Sequence, residues 1–90
     1  LLRAEAHDRN LVRTFLQQAM DRFPDGEAVA HGPLPALMER IGGRSRMYLV
    51  VQSATRSGLH QQLDQWLEPL RALPSGRKVR WALDVDPTEL

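Results

Sequence analysis

Arg44, Arg46 and Tyr48 stand at every second position of one stretch, and Lys78 and Arg80 do the same in another, SGRKVRWALDVDP over Ser75–Pro87. Residues two apart on a strand share a face. Such spacing predicts a sheet surface that collects these cations, together with Arg3, around one aromatic ring. A surface of this kind follows phosphates and stacks a base, the chemistry of a nucleic-acid binder. The competing use is a solvated face whose arginines pair with Glu5, Asp84 and Asp86, contacts worth little at a surface. The paired aromatics of an RNA-recognition sheet are missing, and Tyr48 alone is no stacking platform.

Other candidates carry less. Asp84 and Asp86 point the same way on a strand and suit a metal or a carboxylate pair, yet the sequence nominates no third ligand, and Pro87 makes Asp86 a turn residue. His7, His31 and His60 have neither metal spacing nor a partner nucleophile, so no catalytic residue and no metal site are assigned. Gly42-Gly43 has no adjoining Lys-Ser or Lys-Thr and is not a phosphate loop. Arg56 is different. It falls in the first turn of a helix, where a cation opposes the helix dipole; a free helix N-terminus with Arg56 makes a pocket for a peptide carboxylate or phosphate.

These residues need elements to position them. Leu1 to Ala6 alternates as a short strand, with Leu2, Ala4 and Ala6 on one side. Asp8 supplies a cap oxygen for a helix from about Arg9 to Arg22, in which Leu11, Val12, Phe15, Leu16, Ala19, Met20 and Phe23 recur at helical spacing until Pro24. Glu27 to His31 is a weak second strand closed by Gly32-Pro33, and Pro35 to Arg40 can carry a turn of helix. Arg44 to Ser53 alternates again, with Met47, Leu49 and Val51 facing inwards.

Thr55 caps a second helix with Leu59, Leu63, Trp66, Leu67, Leu70 and Leu73 as its apolar stripe. Gln61, Gln62, Asp64, Gln65 and Glu68 form its wet side, and Pro69 predicts a kink or break near Glu68. The last strand buries Val79, Trp81, Leu83 and Val85; both tryptophans read as core. The order strand, helix, strand, strand, helix, strand predicts an α+β domain of ferredoxin-like type, a four-stranded antiparallel sheet with both helices on one face and the first and last strands adjacent.

Composition sets the bounds. Ninety residues, 42% hydrophobic and 26% charged, make one domain, 1–90, since so short a chain buries only about 60–65% of its unfolded surface. A net charge of +1 argues for nucleic acid only through where the cations cluster. Without cysteine there is no disulfide and no thiolate metal site, which fits the cytoplasm. No apolar run approaches the roughly 20 residues of a membrane span. The abrupt start inside a strand suggests a piece of a larger parent.

Gly32-Pro33-Leu34-Pro35-Ala36, Gly43-Arg44 with Arg46 before a strand ending in Gln52, Arg56, and Arg77-Lys78-Val79-Arg80-Trp81 with Leu83-Asp84-Val85-Asp86-Pro87 carry a resemblance. Across the whole chain they resemble the C-terminal domain of the bacterial primosomal replication-restart DNA helicases (the PriA family, primosomal protein N′). The resemblance implies a parent that is an ATP-dependent 3′-5′ helicase using ATP, Mg and Zn held upstream of this region, with no cofactor in the fragment itself. It implies a cytoplasmic, nucleoid-associated setting and partners in forked or branched DNA, the parent's helicase lobes and other primosome proteins. It also implies that Arg56 receives the acidic C-terminal tail of single-stranded DNA-binding protein. One turn later the family has a glutamine where this chain has His60, which still donates a hydrogen bond, in a pH-dependent way. The expected function is a non-catalytic module binding branched DNA through Arg44, Arg46, Tyr48, Lys78 and Arg80, and the tail through Arg56 and His60. A ferredoxin-like regulatory domain that binds a small ligand at a helix N-terminus is the alternative. An acylphosphatase-like enzyme lacks its arginine-bearing glycine loop and partner asparagine here.

Overall fold

The computed structural model describes residues 1–84. Strand β1 (Leu2–Ala6) leads to helix α1 (Arg9–Asp21), strands β2 (Val29–Ile41) and β3 (Arg44–Gln52), helix α2 (Arg56–Ala72), a short 3-10 helix (Pro74–Arg77) and strand β4 (Arg80–Leu83). The strands form one antiparallel sheet in the order β2-β3-β1-β4, so β1 is flanked by β3 and β4. An α+β chain with two helices and an antiparallel sheet is what the alternation and the two apolar stripes predict.

Both helices begin where the sequence supplies a cap. Asp8 Oδ1 accepts from the Asn10 amide at 2.9 Å, and Thr55 Oγ1 accepts from the Gly58 amide at 3.2 Å, each satisfying a donor that a helix start leaves open. On α1, Val12, Phe15, Leu16 and Ala19 are buried, the spacing that puts four side chains on one face. They meet Leu2, Ala4 and Ala6 of β1, Met47 and Leu49 of β3 and Leu63, Trp66 and Leu70 of α2 in a single core. The Trp66 indole N–H donates to the Ala19 carbonyl at 2.8 Å and its ring meets Phe23 edge-on, centroids 4.9 Å apart. Trp81 stacks on Phe15 at 5.7 Å. These contacts seat both helices on one side of the sheet.

Five expectations are corrected. The second strand does not stop at Gly32-Pro33: β2 continues to Ile41, paired with β3 through register shifts between His31 and Leu34 and between Pro35 and Arg40, and there is no helical turn over Pro35–Arg40. β2 lies at the sheet edge, where proline's missing donor costs no ladder bond. The hairpin is closed by Gly42 and Gly43, at φ +58° and +80°, the left-handed pair that a two-residue turn requires and glycine adopts without a Cβ penalty. Arg40 braces it, donating to Ser45 Oγ at 2.7 Å and the Gly43 carbonyl at 3.0 Å.

Pro69 does not break α2, which runs unbroken to Ala72. It sits in the last turn, so few bonds remain to be lost beyond it, and fully buried Leu70 with buried Leu73 holds that turn on the core. The final strand is shorter than the alternation over Ser75–Pro87 predicts. Pro74–Arg77 is a 3-10 helix and Lys78 ends it, leaving Arg80–Leu83 as strand. Val85, Asp86 and Pro87 lie outside the described residues. Finally, Gln62 is not on the wet side: it is buried, and its amide bonds the loop between α1 and β2.

Candidate nucleic-acid interface

The face of the sheet opposite the helices is built from two lateral rows. Tyr48, Arg3 and Ala82 are opposite one another on β3, β1 and β4, and Arg46, Glu5 and Arg80 form the adjacent row. Period-two geometry sends these six side chains to the open side because Leu2, Ala4, Met47 and Leu49 are committed to the core. Between the rows lies a hollow of about 360 Å³, with Ala36 and Ala82 on its margins. Three arginines from three neighbouring strands and one phenol ring therefore line the same concavity.

The cations are not unopposed. Arg3 Nη2 sits 2.7 Å from Asp84 Oδ2, a direct pair. Glu5 lies between Arg46 and Arg80, its oxygens 3.9 Å from Arg46 Nε and 3.7 Å from Arg80 Nη1. Both separations exceed hydrogen-bonding range, so the carboxylate is shared rather than locked. The pairing of Arg3 with Asp84 and of Glu5 with its neighbours is the competing use expected from sequence, realised in part; Asp86 lies outside the described residues. Arg80 keeps 75% of its side-chain surface and Arg3 52%, so paired guanidinium groups still present donors to solvent.

Arg44 and Lys78 belong to a neighbouring depression rather than to the hollow. With Arg77, His7 and Asp8 they line a second space of about 310 Å³, which shares Glu5 and Arg80 with the first. Arg77 and His7 were not singled out by alternation, since both lie outside the strands. A basic band thus runs from Arg46 and Arg80 towards the end of the sheet where Arg44 and Lys78 stand.

Arg56 and His60 are one helical turn apart on exposed parts of α2, and neither lines either hollow. The expected free helix N-terminus is corrected. Thr55 Oγ1 donates to Glu27 Oε2 at 2.9 Å, and the same carboxylate oxygen is 2.6 Å from where a Cβ on Gly58 would stand. A carboxylate of the chain itself therefore occupies the first turn of α2, a favourable place for it beside the helix dipole. Gln62 explains how it gets there. Its Oε1 accepts from the Ala28 amide at 2.6 Å while Nε2 donates to the carbonyls of Pro24 and Ala28 at 3.1 and 3.2 Å, pinning the loop that carries Glu27 onto α2.

At the other end of the sheet the residue before β1 pairs with the residue after β4. The Leu1 backbone nitrogen donates to the Asp84 carbonyl at 3.0 Å and the Asp84 amide to the Leu1 carbonyl at 2.8 Å. Among the described residues no three His, Cys, Asp or Glu gather as a metal site, and no helix is long and apolar enough to cross a membrane.

The chain is similar to the replication restart protein PriA of Haemophilus influenzae, 30% identical over 93 aligned positions that take in 100% of this chain and 12% of that protein. It therefore spans about an eighth of the length of this curated relative. Residues 1–88 match the family described as the primosomal protein N C-terminal domain. With nearly the whole sequence inside that match, the chain belongs to the primosomal protein N C-terminal domain family.

Proposed function

We propose that residues 1–90 form a non-catalytic DNA- and protein-binding module of a larger replication-restart helicase, with a ferredoxin-like fold. The observation that carries the reading is the convergence of Arg3, Arg46 and Arg80 with Tyr48 on one hollow. Guanidinium groups hold phosphates by charge-assisted, bidentate bonds, and a phenol ring beside them stacks an unpaired base. Arg44 and Lys78 extend the phosphate track into the second depression. The strand order β2-β3-β1-β4 with a helix in each crossover supports the ferredoxin-like reading.

In this reading the parent's ATP, Mg and Zn are held elsewhere, because the chain has no cysteine and no phosphate loop to hold them. The relative's name supports work in replication restart and the family match supports work with primosome proteins; the parent's helicase lobes and a cytoplasmic setting at the nucleoid belong to the same proposal. Arg56 and His60 form the second surface, for the acidic C-terminal tail of single-stranded DNA-binding protein. A tail carboxylate arriving there meets the Glu27 carboxylate already on α2, so the tail is held on the guanidinium and imidazole rather than on the helix amides.

Fluorescence anisotropy of a labelled forked oligonucleotide, titrated with the chain across a salt series, tests the DNA surface. Arg3, Arg44, Arg46, Lys78 and Arg80, offset by Glu5 and Asp84, leave about three net charges for phosphates, which gives a log–log salt slope of about −2 to −3. No binding at low salt refutes the reading. Saturable binding of a small anion without salt-dependent DNA binding supports the regulatory-domain alternative instead.

A further inference from the structure

Among the described residues Glu5 is the one carboxylate that lines the basic hollow, and its position is set by register. It is the Cα partner of both Arg46 and Arg80, so the three side chains stand in line across β3, β1 and β4, the arginines about 10 Å apart at two strand spacings. At 3.9 and 3.7 Å from them, the carboxylate lowers the potential at both without engaging either donor fully. It keeps 26% of its side-chain surface, so it faces whatever enters the hollow. Tyr48, opposite Arg3, is its diagonal neighbour, about 7 Å away on adjacent strands.

We propose that Glu5 is a specificity-determining residue that makes the open face prefer an unpaired nucleotide over a duplex; this rests on the DNA-binding reading above. A duplex laid on the sheet presents only its sugar-phosphate edge, and its phosphates meet the Glu5 carboxylate between the two arginines as a like charge. A single strand can place its phosphates on Arg46 and Arg80 and turn a base onto Tyr48. The edge of that base then lies within reach of Glu5, which accepts from an exocyclic amino group as carboxylates do from base amines. Glu5 thus opposes the ligand whose affinity is all phosphate and accommodates the one that brings a base.

The test compares the 90-residue chain with its Glu5→Gln variant, binding a single strand and a duplex of equal length across the same salt series, with affinities compared at its lowest concentration. Glutamine keeps the shape, and a thermal melt verifies folding. The proposal expects Glu5→Gln to bind duplex about three- to tenfold more tightly, with a salt slope steeper by about one. Single-strand affinity moves less than about twofold, so that selectivity shrinks. An equal change on both ligands, or weaker binding of both because Glu5 positions the arginines, overturns the proposal. Failure of the unsubstituted chain to bind either ligand overturns the DNA reading itself, and the role of Glu5 with it.

Discussion

Gln62→Leu tests the clamp that fixes the loop between α1 and β2. Gln62 is 5% exposed and Ala28 4%, and three hydrogen bonds join them and Pro24. Leucine of similar volume keeps the packing and removes the amide. The Ala28 N–H then loses its partner in a place water does not reach, a cost of about 1–3 kcal/mol. The two carbonyls lose one donor each, at less cost, because the Pro24 carbonyl is only part-buried. The buried leucine side chain returns about 1 kcal/mol, so a net loss of about 2 kcal/mol is expected. For a domain of this size that lowers Tm by about 8–16 °C. Urea denaturation followed by circular dichroism measures it, with an unchanged m-value showing that the folded state keeps its extent. Gln65→Leu, one turn on and exposed, is the control and shifts stability by no more than about 0.5 kcal/mol. Equal effects of the two substitutions, or a Gln62→Leu change within about 0.5 kcal/mol, refute the reasoning that the amide is a clamp.

Four other substitutions separate the remaining assignments. Asp8→Ala removes the α1 cap bond and lowers stability by about 1 kcal/mol, read as a lower urea midpoint. Gly42→Val forces a β-branched residue to φ +58°; although no neighbour crowds the site, stability falls by about 1–2 kcal/mol in the same assay. Charge reversal at Arg44 and Arg46 together abolishes fork binding by anisotropy while leaving acidic-tail peptide binding in place. Arg56→Ala does the opposite, and a parallel loss of both activities in either variant means the two surfaces are not separate.

The open face was legible because alternation needs no knowledge of partners. Arg3 and Glu5, Arg44, Arg46 and Tyr48 follow from their spacing once Leu2, Ala4, Met47 and Leu49 are placed inwards. What alternation leaves open is which strand lies beside which, and so the position of Glu5 between Arg46 and Arg80 rather than against one of them. Lys78 shows the limit from the other side. Its spacing from Arg80 suits a strand, but Pro74 starts a 3-10 helix that extends to Arg77 and Lys78 ends it, so the lysine joins Arg44 and Arg77 at the second depression.

Local chemistry by itself determined the two helices and their caps, the inward faces of β1 and β3, and the cationic character of the sheet surface. Each depends on residues within a few positions of one another. Only the tertiary structure decided that β2 runs through its prolines, because an edge strand tolerates a missing donor and a central one does not. It alone turned Gln62 inwards, since a glutamine on a helix is buried only when a distant backbone offers matching donors and acceptors, here those of Pro24 and Ala28. The same contact places Glu27 on the first turn of α2. That meeting of residues nearly thirty positions apart has no trace in local pattern, because hydrogen-bond complementarity between separate elements exists only after the core has brought them together.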